Sequence, residues 1–218
     1  MTSAQSVGNT IHLVLRAFAQ MTKDGELAGK KKADLTGILD DLLKTNWIKD
    51  GYTSKKHEAE GLEKAHTFLK TYLDGDLHAN CHPLFLESMF KFAIDPTLKI
   101  VGKIDRVDDR GDGKIEIIDY KTGAKIPTEK EIENELQMTI YALAAVNPGI
   151  LNKKIDQVAL SFYYLEEGKK LSTTRTADQL EKAKVELLAI RDSIEHSDFT
   201  CSRGLFCENC EYKILCNG

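Results

Sequence analysis

The spacing of apolar positions changes along this chain, and the changes mark out its elements. Val7, Ile11, Val14, Leu15 and Phe18 recur at intervals of three and four, which predicts a helix over 7–21 with one apolar stripe. Residues 23–33 are polar and glycine-containing, hence a loop. Two further helical stretches, 34–48 and 55–73, meet near Asp50-Gly51 and carry many charges outward. They are expected to form a helical insertion or lid within 23–80. After Pro83 the pattern becomes strand-like over 84–94, 98–108 and 114–121, with turn chemistry at Asp95-Pro96 and at 109–113. Helical spacing returns over 129–146 through Leu136, Ile140 and Leu143. The stretch 155–165 is rich in β-branched and aromatic residues and reads as a strand, with 169–175 pairing back through Glu167-Gly168. A last helix is expected over 176–196, capped by Thr176. Helix, helical insertion, three strands, helix, one or two strands and helix make an α/β layered domain with a central mixed sheet flanked by helices.

Composition bounds this picture without changing it. The chain has 218 residues, 42% hydrophobic, enough for one sizeable core. No window nears the roughly 18 apolar residues of a membrane span, and no cationic region precedes an apolar run at the start. A cytoplasmic protein with no membrane partner is therefore expected. The net charge of −4 is unhelpful for approaching phosphates. Either a local basic groove is hidden by acidic helices, or a larger assembly supplies the grip. The short basic runs at 30–32 and 55–56 read first as solvated surface.

Candidate chemistry is concentrated in KIVGKIDRVDDRGDGKIEIIDYKTG, residues 99–123. Asp119 and Lys121 are two apart and share a strand face with Ile115 and Ile117. Folding the hairpin about 109–113 brings Asp105 opposite the stretch 116–118, a direct or diagonal neighbour of Asp119 depending on register. Two carboxylates together on a half-buried face need a cation, and hard oxygen ligands suit Mg²⁺ or Mn²⁺. Lys121 beside them could hold a phosphate oxygen or polarise an attacking water. By itself Asp-x-Lys is a common surface ion pair. Two helical features add to it: His12 on the flank of the first stripe, one turn after the small Gly8, and Gln137 with Tyr141 four apart on a later helix.

In order, Gly8-x-x-x-His12, Gly102-x-Ile104-Asp105-Arg106, Ile118-Asp119-Tyr120-Lys121-Thr122-Gly123 and Gln137-x-x-x-Tyr141 resemble the RecB-like branch of the PD-(D/E)XK nuclease superfamily. The likeness runs from residue 7 to the C-terminus apart from the 23–80 insertion. It implies a restriction-endonuclease-like fold and a Mg²⁺- or Mn²⁺-dependent deoxyribonuclease, with exonuclease action the leading expectation. It also implies that His12, Asp105 and Asp119 bind the metal together with the carbonyl of Tyr120, and that Lys121 orients or activates water. Gln137 and Tyr141 would support the site or the DNA strand, and Glu87 matches an acidic position of some members.

The last eighteen residues hold Cys201, Cys207, Cys210 and Cys216, while Cys81 stands apart. Clustered thiolates in a reducing compartment favour zinc or an iron–sulfur cluster. The tail 201–218 resembles that of AddB-type iron–sulfur nucleases, which implies a [4Fe–4S] cluster appended to a nuclease domain over 1–200. In those proteins the fourth cysteine precedes the Gly-x-x-x-His helix; here no cysteine does, and Cys201 is the available substitute. The start just before the His12 helix suggests excision from a longer polypeptide, with a helicase as expected partner in DNA repair or recombination. The competing expectations are a catalytically silent DNA-binding or scaffolding domain and a metal-stabilised interaction module.

Overall fold

Thr2 and Gln5 set the start of the first helix. Each side chain satisfies the other's backbone N–H, so α1 spans Ser3–Lys23 and begins before its apolar stripe does. The structure is a computed structural model describing residues 1–75, 77–78, 81–123, 125–197, 204, 207 and 210. After α1 come α2 (Lys32–Asn46), α3 (Lys55–Asp74), β1 (Pro83–Ala93), β2 (Lys99–Gly111), β3 (Lys114–Lys121), α4 (Glu129–Glu133), α5 (Leu136–Val146), β4 (Val158–Tyr164), β5 (Lys169–Thr173) and α6 (Ala177–Glu195). Thr176 caps α6 as expected, accepting from Gln179 N–H.

Two of the boundaries that differ from the sequence pattern have evident causes. The single helix expected over 129–146 breaks between α4 and α5. There the buried Arg175 draws the Ile132 and Glu135 carbonyls to its Nη2 and the Thr139 hydroxyl to its Nε. The strand expected from 155 begins at Val158, because Ile155–Gln157 forms one 3₁₀ turn.

The five strands lie in the order β1-β2-β3-β4-β5. β3 and β4 run parallel and the other pairs antiparallel, so the sheet is mixed as expected. The β3–β4 crossover carries α4 and α5. Alternation along β3 sends Ile115 and Ile117 to one face, where they meet Met138, Ala142, Leu180 and Leu187 of α5 and α6. Ile118 and Tyr120 go to the other face, against Ile11, Leu15, Leu43, Phe68 and Tyr72 of α1, α2 and α3. The stretch expected as a helical insertion or lid is packed into the core. Leu39 and Leu43 of α2 and Phe68, Leu69 and Tyr72 of α3 are buried in one cluster with α1, so these helices are a layer of the core.

Arg106 ties that layer to the sheet. Its guanidinium is fully buried, and all five N–H groups are used. Nε and Nη2 grip Asp108 at 2.7 and 2.6 Å, Nη1 reaches the hydroxyls of Tyr72 and Tyr120, and Nη2 also reaches the Leu77 carbonyl.

Candidate active site

The β2–β3 hairpin fixes the centre of the site. Arg106 faces Ile118 and Val107 faces Ile117, so one step further along the same register sets Asp105 directly across from Asp119. The register slips at the turn, between Asp109 and Gly111. The carboxylates are thus direct neighbours, and both are buried. Asp105 Oδ2 accepts the Tyr120 N–H at 2.9 Å, which locks its orientation. The Tyr120 ring turns to the opposite face, where Arg106 holds its hydroxyl.

Three elements converge on Asp105. From α1, His12 Nδ1 lies 3.3 Å from Asp105 Oδ1 and 3.7 Å from Glu87 Oε1. Gly8 lets this helix approach, since a Cβ there would stand 3.0 Å from Thr122 Oγ1 at the end of the motif strand. From β1, Glu87 adopts φ 49 in mid-strand, while Leu86 and Ser88 on either side keep their pairing with Arg106 and Ile104. A left-handed conformation at a non-glycine residue costs about 1–3 kcal/mol and is typical of sites where geometry matters more than stability. Lys103 caps the other oxygen of Glu87. One donor atom each from His12, Glu87 and Asp105 lies within 4.8 Å of the others, a spacing suited to one cation.

On the α5 side Asp119 is held by a hydrogen-bonded clamp. Its Oδ1 accepts from Gln137 Nε2 and from the Tyr141 hydroxyl, both at 2.8 Å, and Gln137 Nε2 also reaches Tyr141. Lys121 Nζ donates to Gln137 Oε1 at 2.8 Å, lies 2.7 Å from Asp119 Oδ2, and sits over the Phe162 ring. Beyond that ion pair, Asp119 Oδ2 is buried and accepts no hydrogen bond. A buried, underbonded carboxylate oxygen beside a second carboxylate fits a divalent ion.

The electrostatics point the same way. Burial and then the charge of Asp105 raise the Asp119 carboxyl above its ordinary range, against the opposing pull of Lys121. Burial disfavours charge on His12, yet its hydrogen bonds to Asp105 and Glu87 outweigh that and lift it to about 10. Glu87 is likewise desolvated but pulled below its ordinary value by His12 and Lys103. The cluster is built to hold positive charge between its carboxylates.

All the residues expected in the reaction centre therefore lie in one place, in two groups. His12, Glu87 and Asp105 form the cation cluster; Asp119, Lys121, Gln137 and Tyr141 form the adjoining clamp, with the Tyr120 backbone between them. Sequence reasoning gave no role to Lys103, Arg106 or Phe162. Arg106 is a fixed position of the Gly102-x-Ile104-Asp105-Arg106 motif, which was the available signal, whereas Lys103 is its variable position and gave none. In the tail, Cys207 and Cys210 are free thiols, with Gly204 N–H directed at Cys207 Sγ at 3.1 Å. Cys201 and Cys216 lie outside the described residues.

A mixed sheet between helical layers, with an acid–lysine strand beside an acid–histidine cluster, defines an α/β domain with a candidate metal site. A sequence model of the PD-(D/E)XK nuclease superfamily matches residues 1–217, and the chain belongs to that superfamily, whose members are generally nucleases. It is 30% identical over 164 residues to an uncharacterised protein of Rickettsia typhi, covering 71% of this chain and 18% of that protein. It is 29% identical over 135 residues to one of the subunits of an ATP-dependent helicase/deoxyribonuclease of Streptococcus agalactiae, covering 61% of this chain and 11% of that protein. The chain thus spans under a fifth of the length of these relatives. The crystal structure of SSO0001 superposes with a TM-score of 0.41 at 15% identity, covering 97% of this chain and 84% of that one. Among the described residues no helix is long and apolar enough to cross a membrane.

Proposed function

We propose that this chain is a Mg²⁺- or Mn²⁺-dependent deoxyribonuclease of the RecB-like, AddB-type branch, acting as an exonuclease module of a cytoplasmic helicase–nuclease in DNA repair or recombination. The observation that carries this reading is the meeting of His12, Glu87 and Asp105 donor atoms beside the underbonded Asp119 Oδ2 and the Lys121 ammonium. Similarity to part of a helicase/deoxyribonuclease supports the DNA and helicase partners.

In this reading His12, Glu87, Asp105 and Asp119 hold the ion, with the Tyr120 carbonyl as a further ligand. The ion supplies charge neutralisation at the scissile phosphate and a more acidic water. Lys121 holds a non-bridging phosphate oxygen or orients the attacking water, its reach fixed by Gln137 and Asp119. Tyr141 and Gln137 keep Asp119 Oδ1 occupied, so its second oxygen, beside Lys121, is the one that would be left to ligate an ion. Burial sharpens these interactions, since charge acts more strongly where water is excluded. The tail cysteines Cys201, Cys207, Cys210 and Cys216 are assigned a [4Fe–4S] cluster, with zinc as the alternative that absorption spectroscopy separates. The Cys207-x2-Cys210 spacing supports a shared soft metal.

The test is hydrolysis of labelled single- and double-stranded DNA with Mg²⁺ or Mn²⁺, comparing the wild type with Asp119→Ala and Lys121→Ala. Loss of at least about a hundredfold in kcat in both variants is expected, as for removal of an electrostatic group from a buried site. Wild-type rates in both would sink the assignment and favour a DNA-binding or scaffolding role.

A further inference from the structure

The β1–β2 hairpin continues past the candidate metal cluster, and its two faces differ sharply. Inward, Phe90 and Phe92 are buried, with Ile100 and Ile104 beside them in the same core. Outward, Met89, Lys91 and Ala93 of β1 and Lys99, Val101 and Lys103 of β2 are all exposed. The pairing is regular: Met89 faces Lys103, Lys91 faces Val101, and Ala93 faces Lys99. Each of these three levels therefore sets one lysine opposite one apolar side chain, and the lysine changes strand at every level. The same register brings Glu87 opposite Asp105, so the row starts at the metal cluster and leads away from it.

Successive levels on one face of a strand are about 6.8 Å apart, so the three levels make a zigzag of cations roughly 14 Å long. These three levels carry no acid of their own. Lys103 is engaged with Glu87, whereas Lys91 and Lys99 make no ion pair among the described residues. Met89 and Val101 are 67% and 60% exposed and stand on adjacent levels of this one face. The hairpin is also stiffened. Its tip residue Asp95 pairs with Arg191 of α6 at 3.3 Å, and the Phe90 ring packs on Gly102.

We infer that this outward face is a platform for an extended nucleic-acid strand, which it guides toward the candidate metal cluster. The inference rests on the nuclease reading for its direction but not for the binding itself. Spaced unpaired cations match a sugar–phosphate backbone, and the apolar residues between them offer surface for unstacked bases or sugars. A duplex would keep its bases stacked inside and leave Met89 and Val101 without a matching surface. The chain's net charge of −4 masks this row, because its lysines are scattered in sequence and meet only through the pairing of two strands.

The test measures binding of a fluorescein-labelled oligodeoxythymidylate by anisotropy across a salt series. EDTA is present throughout, so that no cleavage occurs and the result does not depend on catalysis. Lys91→Glu/Lys99→Glu is expected to weaken binding by about tenfold or more and to flatten the plot of log K against log salt by about 1.4, from two lost phosphate contacts. Met89→Ser is expected to weaken binding without changing that slope. The control Lys30→Glu/Lys31→Glu makes the same change in net charge at the densest basic run and should leave affinity near wild type. Circular dichroism melts matching the wild type show that the exposed substitutions leave the fold intact. Wild-type affinity and slope in the hairpin variant would overturn the platform, as would an equal loss in the control. A platform that binds while no metal supports cleavage would instead refute only the nuclease reading.

Discussion

Replacing Arg106 by methionine is expected to destabilise the domain by about 3–5 kcal/mol, the range for breaking one side of a buried ion pair. The substitution keeps an unbranched side chain but removes five donors at once. Asp108, only 1% exposed, would be left with no cation beside it, and the hydroxyls of Tyr72 and Tyr120 would lose their donor. Domains are stable by roughly 5–15 kcal/mol in total, so the loss is a large share of what holds the fold. With a urea m-value of roughly 2–3 kcal/mol/M, the midpoint followed by circular dichroism should fall by more than about 1 M. The double variant Arg106→Met/Asp108→Leu removes the stranded carboxylate and should recover much of the loss. A single-variant loss under about 1 kcal/mol would overturn this role for Arg106, and so would a double variant no better than the single. The consequence reaches the site, because Arg106 follows Asp105 in sequence and holds Tyr120, whose N–H orients Asp105.

Three other substitutions probe separate parts of the molecule. Tyr141→Phe removes a hydrogen bond to the Asp119 carboxylate, worth about 1.5–3 kcal/mol for a charged acceptor, and should lower kcat roughly ten- to a hundredfold and the melting temperature by several degrees. An unchanged kcat would remove Tyr141 from the clamp. Glu116 is buried, but hydrogen bonds from Ser161 and Lys170 outweigh that burial and hold its carboxyl below the ordinary 4.5. Its contribution is therefore full above that value and lost as pH falls through the lower folded-state value. Glu116→Gln should be less stable than wild type at neutral pH, and the gap should close below pH 4.5; a gap constant with pH would contradict this. Gly102→Ala would place a Cβ against the buried Phe90 ring, and the overpacking should cost about 1–3 kcal/mol in thermal melts. An unchanged melting temperature would show that the ring yields.

Much of this architecture was legible in the apolar spacing, and the reasons for the exceptions are physical. The hairpin could be placed because Asp109 to Gly113 is strong turn chemistry and because alternation put Asp119 and Lys121 on one face. Its register could not, since the slip between Asp109 and Gly111 depends on the twist of the finished turn. The break between α4 and α5 was invisible because its cause, Arg175, comes from a distant part of the chain. Amphipathic α2 and α3 read as a helical insertion or lid, since sequence does not say which core an apolar stripe joins. In the site, the ordered motifs pointed to residues that the fold brings together. The division into a His12–Glu87–Asp105 cluster and an Asp119 clamp came from side-chain geometry, as did the strained backbone of Glu87.

Everything proposed for the site depends on the cluster around Asp105 and Asp119 binding a divalent ion, and Mn²⁺ titration followed by electron paramagnetic resonance reads that binding without any turnover. The wild type should take up Mn²⁺ and suppress the free-ion signal. Glu87→Gln and Asp105→Asn should weaken that uptake by at least about tenfold while keeping the wild-type circular dichroism spectrum. A free-ion signal unchanged by the wild-type protein, or equal uptake by wild type and both variants, would show that this cluster is not a metal site.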